Sequence, residues 1–155
     1  HWKKDDSGPP LFNARGETVA TKPSFRDAFK HQRGLIPMDG YYEWHDDGGG
    51  KAPHFVSLGE GRIMWAAALW ATGLGRLSAT IITTDSAGPL AWLHDRLPRF
   101  LAEEEIEQWT TGTPEQAAEL LHPTPLDYLE HLTVHPADRA VGNVRNDYPE
   151  LISEN

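Results

Sequence analysis

The spacing of hydrophobic and polar residues predicts a chain of short strands with helices inserted between them. The strand-like runs alternate every second residue or stay apolar for several residues, as half-buried and fully buried strands do. One run, Leu77–Thr84, is apolar on both faces, so we expect it at the centre of a sheet. The predicted strands are Leu35–Trp44 (broken by Pro37 and Gly40), His54–Leu58, Arg62–Thr72, Leu77–Thr84 and Leu132–His135.

Four segments instead have helical spacing, and their ends carry helix-capping residues. Ser24 can cap the first helix with Asp27 three residues on, and Thr113 can cap the last with Pro114 behind it. The DDGGG stretch at 46–50 suits a hairpin turn. The pattern therefore predicts an α+β fold with a largely antiparallel, barrel-like β-sheet core and peripheral helices. The predicted helices are Pro23–Arg33, Ala87–Leu93, Glu103–Trp109 and Pro114–His122.

Length and composition indicate one globular domain. The 155 residues suffice for a core, and 39% hydrophobic with 24% charged residues is a globular balance. Without cysteine there is no disulfide or thiolate zinc site, and no apolar run reaches the roughly 20 residues of a membrane-spanning helix. We expect a cytoplasmic protein with a single domain over residues 1–155. Because the first residue is not Met, we also expect this domain to be incomplete at its N-terminus.

The charge is unevenly distributed along the chain. The net charge is −9, yet residues 1–36 hold seven basic and four acidic side chains, which gives +3 there and −12 in the remainder. A basic face on an acidic body can attract a polyanion, because the local field is what the ligand meets. The alternative is a solvated helix face of mixed sign.

The first segment that suggests chemistry is FNARGET, Phe12–Thr18. In an extended chain Asn13, Arg15 and Glu17 point the same way. An amide, a guanidinium and a carboxylate on one face suit a phosphate or a carbonyl group. The alternative is a turn in which Asn13 bonds its own backbone.

The second segment, DGYYEWH, places a carboxylate among aromatic residues. By alternation Tyr41, Glu43 and His45 share one face, and Tyr42 and Trp44 share the other. A carboxyl buried beside rings has a raised pKa and can donate or accept a proton near neutral pH. The alternative is a salt bridge from Glu43 to a neighbouring arginine.

The third segment, LHDRLPRF, holds His94 and Arg96 two residues apart with Asp95 between them. An imidazole beside a guanidinium stays neutral and can accept a proton. The alternative is a histidine at a helix end, with Arg96 paired locally. The other histidines lack metal-ligand spacing, and no dinucleotide or phosphate-loop motif is present, so we predict no metal and no cofactor.

Four stretches together resemble the SRAP (SOS-response-associated peptidase) family: FNARGETVATKPSFRDAF, RGLIPMDGYYEW, ITTDSAGPLAWLHDRLPRFL and VGNVRNDYPELI. The resemblance implies a DNA-damage protein that recognises abasic sites in single-stranded DNA and crosslinks to them. It also implies a thiazolidine formed by an N-terminal Cys, lyase-type activity, autoproteolytic N-terminal processing, and a monomer that meets DNA at the nucleoid. The family's Cys-Gly-Arg start is absent from this sequence.

The resemblance also implies roles for individual residues. Asn13 would hold the reacting amine or sugar oxygen, Glu43 would move protons during Schiff-base formation, and His94 would help to open the sugar ring. Arginines would grip phosphates and tryptophans would stack on bases. The residues implied to bind DNA are Trp2, Arg15, Arg26, Trp44 and Arg96.

Two other functions remain open. One is a hydrolase or peptidase with Ser86 or Thr84 as nucleophile, His94 as base and Glu43 as the group that orients it. The other is a non-covalent single-stranded DNA binder that uses the basic first third and the six tryptophans. Against the second, four tryptophans fit buried positions, namely Trp65, Trp70, Trp92 and Trp109.

Overall fold

The computed structural model describes residues 11–153, and their contacts divide into two compact units. Unit 1 comprises residues 11–37, 65–86 and 96–124, and unit 2 comprises residues 38–64, 87–95 and 125–153. Within 11–153, no helix is long and apolar enough to cross a membrane.

The described residues form eight strands and four α-helices. The strands are β1 (Asn13–Arg15), β2 (Arg33–Met38), β3 (Gly40–Asp46), β4 (Lys51–Ser57), β5 (Met64–Gly73), β6 (Arg76–Asp85), β7 (Arg96–Pro98) and β8 (Thr133–Pro136). The helices are α1 (Arg26–His31), α2 (Glu103–Thr110), α3 (Pro114–Ala118) and α4 (Leu126–Leu129). Three single 3-10 turns lie at Gly88–Leu90, Arg139–Gly142 and Pro149–Ile152.

Unit 1 is built around β6, which pairs with three strands. The sheet order is β1-β6-β5-β2, with β1 parallel to β6 and β5 antiparallel to it. Thr83 pairs with Arg15 of β1 on one edge and with Pro98 of β7 on the other. The pairing of β5 with β6 ends at Ile81, and β7 pairs with β6 beyond that point. The predicted central position of Leu77–Thr84 is confirmed.

Helices α1, α2 and α3 supply the apolar residues that cover this sheet in unit 1. Trp109 of α2 is fully buried, lies 6.1 Å from the Phe29 ring, and donates its indole N–H to the carbonyl of Gly34 at 2.9 Å. A buried indole is stable only when its N–H finds such an acceptor. The core comprises Ala14, Val19, Phe25, Ala28, Phe29, Ala67, Leu69, Ile82, Leu101, Trp109, Ala117 and Leu120.

Unit 2 holds a three-stranded antiparallel sheet in the order β3-β4-β8. Strands β3 and β4 form a hairpin closed by the pair Asp46 and Lys51, which confirms the turn predicted from DDGGG. The hairpin register places Glu43 opposite His54. Gly40 opens β3 where a Cβ atom would lie 2.4 Å from the Phe55 ring and 2.6 Å from the Val56 carbonyl, so only glycine fits.

The α+β class and the mainly antiparallel pairing are confirmed, but the barrel-like core is corrected. The described strands form two separate sheets, and neither closes on itself. The predicted strand Leu35–Trp44 is divided at Asp39, so that its halves, β2 and β3, belong to different sheets. The two-residue alternation identified both halves as strands. It could not show that the chain passes from one sheet to the other between them.

Three local predictions about helices also need correction. Helix α1 starts at Arg26, after Phe25, and it has no side-chain cap, so the predicted Ser24 cap is wrong. Only a 3-10 turn forms within the predicted helix Ala87–Leu93. The Thr113 cap is confirmed, because its hydroxyl accepts the Gln116 N–H at 3.2 Å, although α3 ends at Ala118.

Candidate functional site

In unit 1, strand β1 presents two predicted site residues to solvent. Ala14 is buried in the core while Asn13 and Arg15 on either side of it are exposed, as strand alternation requires. The chain then turns, since the Val19 N–H bonds the Arg15 carbonyl at 2.9 Å. Glu17 consequently lies in a turn, and the extended arrangement predicted for the segment applies to Asn13 and Arg15 only.

Arg96 is the centre of a charged cluster next to β1. Its guanidinium donates to both carboxylate oxygens of Glu17 at 2.8 and 3.0 Å and to Asp85 at 2.6 Å. It also donates to the Thr83 carbonyl at 2.8 Å. The hydrogen bond from Arg96 lowers the pKa of Glu17, and the same bond raises the pKa of Arg96. A bidentate guanidinium–carboxylate pair of this kind fixes both side chains.

The two arginines predicted to bind phosphates thus differ in their surroundings. The side chain of Arg96 is only 14% exposed and is directed at two carboxylates, whereas that of Arg15 is 64% exposed, 3.9 Å from Glu17. Arg96 is therefore paired, as the alternative reading expected, but its bidentate partner Glu17 is 79 residues away rather than local. Arg15 retains the exposure that a phosphate ligand needs.

Arg26 and Trp2 are the other two residues of the N-terminal third that are predicted to bind DNA. Arg26 is the first residue of α1 and is exposed, 3.9 Å from the carboxylate of Asp27. Trp2 lies outside the described residues.

In unit 2, Glu43 lies on a face of the β3–β4 hairpin rich in rings. His54 is its cross-strand partner and His45 is two residues along the same face. Trp92 packs edge-on against both imidazoles, with ring centroids 5.1 Å from His45 and 5.4 Å from His54. Burial raises the pKa of the Tyr41 hydroxyl on this face, and the negative charge of Glu43 adds to the effect.

The carboxylate of Glu43 has few partners. It is half-buried and accepts the N–H of Trp44 at 3.3 Å. Among residues 11–153, no arginine, lysine or histidine nitrogen lies within 4.0 Å of it, so the alternative of a salt bridge finds no partner in that part of the chain.

The opposite face of the hairpin carries a row of aromatic rings that begins at the exposed Trp44. Tyr42 lies 6.3 Å from Trp44 and 5.5 Å from Phe55, and Phe55 lies 5.6 Å from His135. This row gives Trp44, which is 38% exposed, a rigid support for stacking on a planar ligand.

His94 also belongs to unit 2, where it follows the 3-10 turn at Gly88–Leu90. Its ring Nδ1 lies 3.1 Å from the carboxylate of Asp95, and the side chain is 42% exposed. An imidazole beside a carboxylate and open to solvent can take up or release a proton. Arg96 is grouped with unit 1, so the predicted site residues divide between the two units.

Comparison with known proteins places the chain in a family. The model of the family "SOS response associated peptidase (SRAP)" matches residues 1–144. The chain belongs to the SRAP family. It is 33% identical to the abasic site processing protein YedK of Escherichia coli, an alignment that covers 97% of the chain and 68% of YedK. It is 34% identical to the abasic site processing protein YoqW of Bacillus subtilis, covering 97% and 70%.

Solved structures agree with the fold. A crystal structure of a protein from Bacteroides thetaiotaomicron superposes with a TM-score of 0.77 at 26% identity, covering 92% of this chain and 65% of that one. The SRAP chain described here therefore spans about two thirds of the length of the relatives that it matches.

Two features of this SRAP chain escaped the sequence analysis. One is that Asp85 and the Thr83 carbonyl accept hydrogen bonds from Arg96. The sequence sign of this contact was the polar end of the strand, Thr83-Thr84-Asp85. The other is that His54 and Trp92 lie on the same hairpin face as Glu43. The sequence predicted Trp92 and Trp70 to be buried, but they are 50% and 40% exposed. Trp109 is buried as predicted.

The hydroxyls considered for a hydrolase lack an activating base. The Thr84 and Ser86 oxygens are buried, and neither has a hydrogen-bond partner among the described residues. A serine or threonine nucleophile needs a base within hydrogen-bond reach. His94 is therefore not bonded to either hydroxyl, which disfavours the hydrolase alternative.

Proposed function

We propose that this chain acts on abasic sites in single-stranded DNA, and that with an N-terminal Cys, which its own sequence lacks, it bonds to them covalently. The observation that carries the proposal is the family match over residues 1–144, with relatives named abasic site processing proteins. The sequence itself contains no cysteine, so the covalent step is proposed for the chain joined to an N-terminal segment that begins with Cys. We call that molecule the Cys-led protein.

The reaction begins at the aldehyde of the ring-opened abasic sugar. The α-amine of the Cys attacks the C1′ carbon, the resulting carbinolamine loses water to give a Schiff base, and the thiolate adds to the same carbon to close a thiazolidine. An α-amine has a pKa of roughly 8 against about 10.4 for lysine, so it is more often neutral and nucleophilic near pH 7. One water leaves, and no oxidant or metal is needed.

Glu43 is proposed to move the protons of these steps. One proton must leave the attacking amine and one must reach the departing hydroxyl, and a single carboxyl group can do both in turn. Its half-buried position among rings, without a cation partner in the described chain, supports this role because no ion pair has to be broken first. His94, beside Asp95, would open the sugar by proton transfer, and Asn13 would hold the reacting amine or sugar oxygen.

The proposed DNA contacts follow from exposure. Arg15 is open to solvent and would bind a phosphate, and Arg26 would add a second cation. Trp44 would stack on a base, supported by Tyr42. Arg96 would act as a positioning residue that holds Glu17 beside Arg15. The protein would work as a cytoplasmic monomer, and the same Schiff base would permit lyase-type strand cleavage.

A denaturing gel tests the proposal directly. The Cys-led protein, a Ser-led counterpart and the 155-residue chain are each incubated with an abasic single-stranded oligonucleotide and with one carrying tetrahydrofuran, which has no aldehyde. Only the Cys-led protein with the true abasic site should give a stable adduct, because the ring requires both amine and thiol. An equally strong band from the cysteine-free chain would overturn the assignment of the nucleophile. Binding of all three proteins without any adduct would favour the non-covalent alternative.

A further inference from the structure

Unit 2 contains a cleft on the hairpin face opposite Glu43. It has a volume of about 450 Å³, within the range of small-molecule sites. Tyr42 of β3 forms one wall, and the segment from Val141 to Ile152 forms the rest, with Asn146, Asp147 and Tyr148 among the lining residues. None of the residues proposed for the crosslinking reaction lines this cleft.

The walls of the cleft suit a planar ring. Tyr42 is held by edge and tilted contacts with Trp44 and Phe55, so its ring cannot turn freely. Tyr148 is 44% exposed, and four lining residues are apolar: Val141, Pro149, Leu151 and Ile152. Two tyrosines and an aliphatic floor are the composition on which nucleobases stack in single-strand binding proteins.

The polar groups of the cleft are mainly hydrogen-bond acceptors. The Nδ2 of Asn146 already donates to the Ala140 carbonyl at 2.8 Å, and its backbone N–H donates to Asn143 at 2.9 Å. Its Oδ1 and the second N–H of its Nδ2 remain to bind a ligand. Asp147 adds a carboxylate, and no cation lies within 4.0 Å of it among residues 11–153. The Asp147 carboxylate, which can only accept, therefore favours a ligand that presents N–H donors.

We propose that the cleft binds one unpaired nucleobase and prefers guanine. Guanine carries adjacent N1–H and N2–H donors that can reach both oxygens of one carboxylate, as a bidentate pair. Adenine and cytosine offer a single amino group, and thymine offers one N–H flanked by carbonyls that a carboxylate repels. The inference rests on the proposed function only in that single-stranded DNA supplies the base.

Direct titration with nucleotides tests the cleft without DNA. The 155-residue chain, labelled with ¹⁵N, is titrated with GMP and with IMP, whose base keeps N1–H and lacks the N2 amino group. Shifts confined to the amides of Asn146, Asp147, Tyr148 and Tyr42, with GMP binding at least about fivefold more tightly than IMP, would support the proposal. No shift at these residues at millimolar GMP would overturn it, whatever the outcome with abasic DNA.

Variants locate the specificity. Asp147→Asn should remove most of the preference for GMP, because an amide has an NH₂ donor in place of the second acceptor oxygen that the bidentate pair needs. Tyr148→Ala should weaken GMP and IMP alike, while Tyr148→Phe should retain stacking and binding. A GMP preference that survives Asp147→Asn would assign the discrimination elsewhere and overturn the role of the carboxylate.

The same comparison extends to DNA through fluorescence anisotropy of dT₁₀ oligonucleotides with one central dG, dI, dA or dC. The parent should bind the dG oligonucleotide most tightly, and the Asp147→Asn variant should bind all four oligonucleotides with similar affinity. Equal affinities for the whole series in the parent would contradict the inference while leaving abasic-site processing intact. Loss of abasic-site adducts in the Cys-led protein, with the GMP site retained, would contradict the proposed function alone.

Discussion

Three glutamates show how differently the two units use a carboxylate. In unit 1, Glu105 is bound by Arg99 at 2.7 and 3.1 Å, and Glu17 is bound by Arg96 at 2.8 and 3.0 Å. In unit 2, Glu43 lies on a face with tyrosine, histidine and tryptophan rings and accepts the N–H of Trp44 at 3.3 Å. The arginine-bound carboxylates hold the fold and a surface cluster, whereas Glu43 is the carboxylate for which we propose a role in proton transfer.

The comparison also separates the two arginines that bind these unit 1 glutamates, Arg99 and Arg96. Arg99 is completely buried and donates in addition to the Leu120 carbonyl at 3.0 Å and to the Phe100 carbonyl, and Glu105 is its counter-ion. Arg96 is partly exposed, and its partners Glu17 and Asp85 are well solvated. Breaking a buried ion pair leaves an uncompensated charge, while breaking a solvated one does not. The same Glu→Gln substitution at the three sites should therefore have three different outcomes.

The largest effect is expected at Glu43. In the Cys-led protein, Glu43→Gln should slow adduct formation by roughly 10²- to 10⁴-fold, the usual contribution of a positioned acid or base. DNA affinity and melting temperature should change little, because Gln is nearly isosteric and no arginine is left unpaired in the described chain. His94→Ala should slow the reaction by less, since some abasic sugar is already open in water.

Rate and thermal stability are measured on the same preparations of this variant. A structural role for Glu43 predicts the reverse result, with a lower melting temperature and an unchanged rate per folded molecule. That result would end the assignment of Glu43 as the proton carrier.

Glu105→Gln should behave in the opposite way. Removing the negative charge leaves the buried Arg99 guanidinium without its counter-ion, at a cost of about 3 kcal/mol in the free energy of unfolding. The rate of adduct formation per folded molecule should match the parent. Urea unfolding followed by circular dichroism gives the first quantity, and the gel assay gives the second. A stability equal to the parent would show that Arg99 is satisfied by the carbonyls of Phe100 and Leu120 alone.

The fold was largely predictable because its strands carry clear two-residue alternation or continuous apolar runs. The β3–β4 hairpin and the central β6 follow from such local signals and from turn chemistry. Strands β1 and β7, with three residues each, and the four-residue α4 are too short to have a period. Their conformation is set by pairing with β6 or by packing, and neither can be read from a short window.

The candidate site was predicted in part for a similar reason. Alternation placed Glu43 and His45 on one face and Trp44 on the other, and the register agrees. What alternation cannot supply is the identity of partners far along the chain, such as Glu17 and Arg96, 79 residues apart. Trp92 was expected in the core because tryptophan usually is, but here it covers two imidazoles and stays half exposed.

Acid should weaken the two arginine–glutamate pairs of unit 1. Burial raises the pKa of Glu105, but hydrogen bonds from Arg99 and the Ala102 N–H outweigh it, so the pKa lies below the ordinary value of 4.5. The hydrogen bond from Arg96 likewise lowers the pKa of Glu17. A depressed pKa in the folded state stabilises the protein above about pH 4.5, and that stabilisation is lost as the pH falls through the folded-state value.

The stability difference between the parent and Glu105→Gln should consequently shrink between pH 5 and pH 3. Glu17→Gln should show the same trend with a smaller starting difference of about 1 kcal/mol or less, as a partly solvated pair contributes. Urea unfolding at several pH values measures both. A difference that stays constant down to pH 3 would mean that neither carboxylate is stabilised in its charged form.

The smallest effect separates Arg15 from Arg96 through the salt dependence of DNA binding. Arg15→Ala should weaken binding of single-stranded DNA and reduce the slope of log K against log salt by about 0.7, the value for one lost phosphate contact on a single strand. Arg96→Ala should weaken binding with little change in slope, because its guanidinium is bound to Glu17 and Asp85 and releases no counter-ion from DNA. Lys22→Ala, a nearby exposed cation, serves as the matched control. Anisotropy titrations from 50 to 200 mM salt decide the point: an equal loss of slope in both arginine variants would show that Arg96 leaves its carboxylates to bind phosphate, as the sequence first suggested.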